Sequence, residues 1–189
     1  MSENKVNFGL TNVHYAPFTV TDGVITYETP KPIPGAITLS LDPRGDMTEF
    51  YADNILYYSA SNNQGYDGTL SIANIPEEFA ISALGEEKDT DDLVLTEKAN
   101  LVGKPFAIMF QFEGDIKATR FVLYNCTASR SKVGSSTKSD KTEPNENELA
   151  FIASPRATDL AVKTKTTTGT PSAIYDAWYT KVYEKVVTP

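Results

Sequence analysis

One histidine, one cysteine and one tryptophan are all that the 189 residues hold of those side chains. Each scarcity removes a class of function. Cys126, the single cysteine, has no partner for a disulfide within the chain. His14, the single histidine, leaves no histidine-rich metal site and little proton transfer near neutral pH. A His14–Cys126 pair is the remaining nucleophilic arrangement, and both residues fall in strand-like segments. The phosphate-cradling loop GxxxxGK(S/T) is missing, as is the GxSxG elbow. No apolar run approaches the ~20 residues of a membrane-spanning helix. The opening, MSENKVNFGL, has no export-signal pattern, so a protein made and used without export is expected. Lysine and arginine total 17 against 25 aspartates and glutamates, giving a net charge of −8. That balance excludes a phosphate-gripping surface at the scale of the whole chain. The expectation is a protein that is not an enzyme, with no catalytic, cofactor-binding or metal-binding residues.

What is plentiful points to strands. Threonine, tyrosine and phenylalanine suit pleated, half-buried surfaces. Ala36–Leu41 alternates, with Ile37, Leu39 and Leu41 on one face and Ala36, Thr38 and Ser40 on the other. Phe106–Phe112 repeats the pattern with heavier side chains and reads as a main core strand, while Phe121–Cys126 is apolar on both faces and reads as a strand covered on both sides. Val24–Tyr27, Thr69–Ala73, Leu149–Ala153 and Leu160–Lys163 read as further strands. Turn chemistry separates them at Thr21-Asp22-Gly23, Asp42-Pro43-Arg44-Gly45, Gly65-Tyr66-Asp67-Gly68 and Glu113-Gly114-Asp115. Many short strands divided in this way indicate an antiparallel β-sandwich or barrel.

Two segments carry a helical pattern. In residues 76–85 a proline opens the helix, Glu77 and Glu78 favour its positive end and Gly85 can close it. Near the C-terminus Tyr175, Trp178, Tyr179, Val182 and Tyr183 follow helical spacing, with Thr170-Pro171 as a start, and an aromatic strand is the competing reading because tyrosine and valine suit strands too. Asn125-Cys126-Thr127 matches a glycosylation triplet, but without export it reads as part of a strand. The acidic run Glu86–Asp92 lacks the glycine and distal glutamate of a calcium loop and reads as a solvated loop. Residues 129–147 form the one long hydrophilic stretch, a mobile hairpin extension within a single domain spanning 1–189.

One stretch stands apart. Over Met47–Tyr66, within an arm of about residues 46–66, Phe50, Tyr51, Tyr57, Tyr58 and Tyr66 are set among Asn, Asp and Gly. Either a long twisted hairpin folds these rings back onto its own core, or an arm presents them to another subunit, where tyrosine gives large contact area and tolerates wet edges. Periodicity alone leaves both open.

With that stretch in place, the chain resembles the major tail protein, or tail tube protein, of long non-contractile-tailed bacteriophages of Gram-positive hosts, the phi13-type family. The resemblance is carried in order by Val6–Ala16, Pro34-Gly35-Ala36, Phe50–Asn54, Asn63–Gly68, Ile75–Phe79, Pro105-Phe106-Ala107, Arg120–Thr127 and Ala177-Trp178-Tyr179. It implies a β-sandwich or barrel core with a flanking helix, and hexameric rings that stack into a hollow tube in the virion tail. It further implies assembly in the host cytoplasm around a tape-measure protein, with tail-end proteins as further partners. DNA would pass through without specific binding, and no membrane is involved. On that reading Phe50, Tyr51, Tyr57, Tyr58 and Tyr66 are expected at a subunit interface. Thr38, Ser40, Thr69 and Ser71 are expected on strands lining the bore. The alternative from a different class is a monomeric β-sandwich module that binds glycan or peptide through exposed tyrosines.

Overall fold

The computed structural model describes residues 3–100, 102–135, 137 and 144–185. In chain order the strands are β1 (Asn7–Thr21), β2 (Val24–Tyr27), β3 (Lys31–Pro32), β4 (Ala36–Arg44), β5 (Met47–Ala52), β6 (Ile55–Ser61) and β7 (Gly65–Ile72). After the helical turn come β8 (Glu87–Lys88), β9 (Leu95–Thr96), β10 (Phe106–Gly114), β11 (Thr119–Ala128), β12 (Asn147–Ala153) and β13 (Lys163–Lys165). Helix α1 (Glu77–Phe79) opens into a π-helical turn over Ala80–Leu84, and α2 is Ser172–Asp176. Strand makes up 48% and helix 7%, so the mainly β, antiparallel reading holds.

Among the described residues nine strands form one antiparallel sheet in the order β2-β1-β10-β11-β12-β7-β4, with β3 added to β1 and β13 to β11. The sheet curls until β4 comes back against β1, and the short link from β3 to β4 bridges that approach. Inside the curl lie Tyr15, Leu70, Ile72, Phe106, Ile108, Phe110, Leu149 and Phe151, with Phe79 of α1 set edge-on to Tyr15 and Phe106. Burying each of the larger apolar side chains contributes roughly 1.5–3 kcal/mol before chain entropy is counted.

Strand β10 is covered on both faces. Phe106, Ile108 and Phe110 face the curl, while Ala107 and Met109 join Ala16, Val122 and Tyr124 on the other side. That second face is closed by the C-terminal segment through Trp178 and Val182. Trp178 Nε1–H donates to the Phe121 carbonyl at 3.3 Å, so its one polar atom is satisfied on a buried ring.

The turn expected at Thr21-Asp22-Gly23 is present. Thr21 pairs with Val24, and Asp22 and Gly23 have φ of 52° and 78°, the conformation a two-residue hairpin needs. The first helix also falls where expected, with Pro76 before it and Gly85 closing it at φ 84°. Its second half widens to a π turn, with Gly85 N–H bonded to the Ala80 carbonyl, which the spacing did not indicate.

Four expectations need correction. Ile37 does not face the core: a bulge between Ala36 and Thr38 inserts it as an extra residue, so Ala36, Leu39 and Leu41 pack inward and Ile37 is exposed. Asp42-Pro43-Arg44 is strand, not turn. It lies in β4 at the sheet edge, where a proline lacking its N–H forfeits no ladder bond on the open side. Gly65–Gly68 is also strand, the start of β7, whose glycines serve close packing. Leu160–Val162 is not strand either. Leu160 is exposed with φ 59°, closing a turn in which its N–H bonds the Arg156 carbonyl, and β13 starts only at Lys163.

The C-terminal helix ends earlier than its spacing suggests. α2 stops at Asp176, and Thr180 Oγ1 bonds the Ala177 carbonyl at 2.8 Å, taking an acceptor that a continuing helix would use. Tight turns then keep Trp178 and Val182 on the buried side. Of the hydrophilic stretch 129–147, residues 136 and 138–143 lie outside the described residues, as do 186–189 at the end.

Candidate functional site

Strands β5 and β6 form a two-stranded sheet of their own. Asp53 and Asn54 make the connecting turn with φ of 51° and 61°, a conformation these two residue types tolerate better than most. The register runs Met47↔Ser61, Thr48↔Ala60, Glu49↔Ser59, Phe50↔Tyr58, then Tyr51↔Leu56 and Ala52↔Ile55, with Tyr57 as the bulged extra residue. Alternation therefore puts Phe50, Tyr58 and Ile55 on one face and Met47, Tyr51 and Leu56 on the other. Both faces are bare: Tyr57 is 71% exposed, Phe50 and Tyr58 58% each, and Ile55 and Met47 62% each. The rings do not fold back on the core.

A lone two-stranded hairpin is marginal in water, and an exposed apolar surface of this kind marks an interaction site. Four of the five aromatics expected at an interface share this hairpin. Tyr66 does not: it sits half-buried in β7, its hydroxyl accepting from Lys163 Nζ at 2.8 Å. Met47, Ile55 and Leu56 belong to the surface too. The sequence signal for Ile55 and Leu56 was the unbroken run Ile55-Leu56-Tyr57-Tyr58, which has no strand period and therefore no single inward face.

Thr38, Ser40, Thr69 and Ser71 come together on neighbouring strands. Thr38 pairs with Ser71 and Ser40 with Thr69, while Leu39 and Leu70 between them point into the curl. The four hydroxyl residues thus occupy the outer face of β4 and β7; three are exposed and Ser71 is 8% exposed. Along the same face Asp42 lies directly opposite Asp67, and Glu148 of β12 opposite Ser71. Arg44 meets this charge, its Nε 3.5 Å from Asp67.

The reactive side chains are kept apart. His14 pairs with Met109 and stacks on Tyr179 at 4.6 Å, on the face closed by the C-terminal segment. Cys126 lies fully buried inside the curl, where burial pushes its thiol pKa up. The two are on opposite faces of the sheet and form no dyad. In the acidic loop Asp89 accepts the N–H groups of Asp91 and Asp92 at 2.8 Å each, which holds its carboxyl below the usual range. Glu87 pairs with Lys98. Among the described residues no three His, Cys, Asp or Glu side chains gather to hold a metal.

The C-terminal segment is clasped by Arg156. This guanidinium is buried, lies 4.2 Å over the Tyr124 ring, grips Asp159 through Nε and Nη2, and reaches Glu184 at 3.1 Å. The hydrogen bonds from Arg156 hold the Asp159 carboxyl down at about 2, from a usual value of 3.8. A carboxylate whose folded pKa is depressed contributes stability above its unfolded pKa and loses it as pH falls through the folded value. The clasp should therefore weaken between about pH 4 and about pH 2. Asp159 is half-exposed, so solvent screening keeps the effect small. In melting curves against pH, Asp159→Asn is expected to lower the melting temperature near neutrality, with the gap to wild type closing towards about pH 2. A gap that stays constant would rule the clasp out as an acid-sensitive contact.

A family described as "Phage tail tube protein" has a model that matches residues 2–188. No curated protein matches the chain. Among solved structures, a chain from the cryo-EM structure of the anti-feeding prophage cap, the AFP tube terminating cap, aligns with a TM-score of 0.45 at 14% identity. The alignment covers 88% of this chain and 97% of that one.

Proposed function

Because the chain belongs to the phage tail tube protein family, a structural component of the virion tail that assembles into multimers, we propose that it forms hexameric rings stacked into a hollow tube. The observation that carries the reading is the β5–β6 hairpin, ordered as a hairpin yet bare on both faces. Such a surface is satisfied only by other molecules, and sister copies supply them in a polymer. The sheet's two end strands, β2 and β4, add open edges. A contact between unlike surfaces closes into a ring when its rotation is right, and closure removes the edges that would otherwise pair indiscriminately.

The bore, on this reading, is lined by the outer face of β4 and β7 with Thr38, Ser40, Thr69 and Ser71. Hydroxyls and carboxylates dominate there, and Arg44 is engaged with Asp67. A wall of that character gives phosphates little to hold, which suits passage of DNA from capsid to host without specific binding. Assembly in the host cytoplasm around a tape-measure protein, with tail-end proteins closing the tube, completes the proposal.

Electron microscopy of purified protein across a concentration series is expected to show tubes with a regular axial repeat and sixfold end views. Stable monomers at high concentration, together with saturable glycan binding, would favour the binding-module reading and reject this one.

A further inference from the structure

Between Gly45 and Tyr66 the chain carries Asp46, Glu49 and Asp53 and no lysine, arginine or histidine. The exposed hairpin is therefore both aromatic and acidic. A surface of the opposite character exists on the same molecule. The C-terminal segment borders an open groove of about 580 Å³, walled by Ala173, Ile174 and Ala177 over Trp178 and Val182, with Lys181 and Lys185 also lining it. Glu184, the one carboxylate lining it among the described residues, is engaged by Arg156. Neither lysine has an ion-pair or hydrogen-bond partner among the described residues. The groove is therefore apolar inside, with two lysines beside it that have no anionic partner among the described residues.

We infer that the β5–β6 hairpin of one copy docks in the C-terminal groove of a second copy, an assignment that rests on the reading of the chain as a self-assembling subunit. The apolar walls accept the rings of Tyr57 and Tyr58, while Lys181 and Lys185 face the hairpin's carboxylates, of which Glu49 accepts the Tyr51 hydroxyl at 2.8 Å and none has a cationic partner among the described residues. Complementary charge steers the encounter and fixes the orientation, and ring burial supplies the affinity. Donor and acceptor surfaces differ, so a docked pair still offers one free hairpin and one free groove, and the contact propagates.

The test is charge exchange between copies. The variant Lys181→Glu with Lys185→Glu and the variant Glu49→Lys with Asp53→Lys should each fold by circular dichroism. Each should yield at least tenfold less sedimentable tube than wild type. Mixing the two is expected to restore tubes, since each hairpin then meets a groove of opposite sign. A photoreactive residue at Ile174 should capture residues 47–61 of a second copy. Wild-type tubes with unimpaired variants, no recovery on mixing, or capture of the same chain or of another tail protein would overturn the docking and leave the tube reading standing. Failure of wild type to form tubes would remove both.

Discussion

Exchanging Tyr57 and Tyr58 for serine is expected to abolish tube formation while leaving the monomer folded. Both side chains are exposed, at 71% and 58%, on a hairpin that forms a sheet of its own. Surface changes away from a core, a cap or a buried network usually stay within about 0.5 kcal/mol. For a chain of this size that keeps the melting temperature within about 2 °C of wild type. The assembled state is a different matter. A tyrosine anchoring an interface costs about 2 kcal/mol or more when truncated, close to 30-fold in affinity. Two such losses act at every contact along a polymer, so the concentration needed for assembly rises by roughly three orders of magnitude. Circular dichroism and sedimentation of the same samples separate the two effects. Tubes formed at the wild-type concentration would show that the hairpin is not a subunit contact.

The reason that hairpin resisted a reading from sequence is physical. Local patterns encode which face of an element is dry, and they do so well where the partner is in the same chain. Phe106, Ile108 and Phe110 alternate with Ala107 and Met109, and the structure uses both sets, one in each cluster. Leu149, Phe151 and Ala153 alternate against one core and were legible at once. Over Ile55–Tyr58 every residue is apolar or aromatic, and no periodicity assigns such a run a single inward face. The same limit applies to the outer face of β4 and β7. That Thr38, Ser40, Thr69 and Ser71 share a face follows from alternation and pairing, but what they face does not. Ile37 marks a finer limit, since one bulge reverses a side chain while leaving its sequence neighbours unchanged. Tyr66 shows the reverse case, a ring grouped with the arm by proximity in sequence that lies in the body of the sheet.

The glycines of β7 test that lesson, because their turn chemistry pointed one way and the sheet uses them another. A Cβ on Gly68 would lie 2.2 Å from Cζ of Phe151 and 2.4 Å from its Cε2. Phe151 is 2% exposed in the main core, so its ring has nowhere to go. At Gly65 a Cβ would lie 1.8 Å from the Ala153 carbonyl oxygen, on a residue whose φ is already +100°. Overpacking costs about 1–3 kcal/mol and a strained positive φ adds about 1–2 kcal/mol, so Gly65→Ala should be the more damaging substitution. Denaturant unfolding is expected to show Gly68→Ala destabilised by about 3 kcal/mol and Gly65→Ala by more. The two should also differ in rescue. Combining Gly68→Ala with Phe151→Leu removes the ring that the new methyl meets, so the double variant should lose less than the two single losses together. Gly65→Ala meets backbone, which no side-chain change can withdraw, and Phe151→Leu should simply add to it. If both alanine variants unfold at the wild-type denaturant concentration, these glycines are ordinary turn residues and the register of β7 against β12 is wrong.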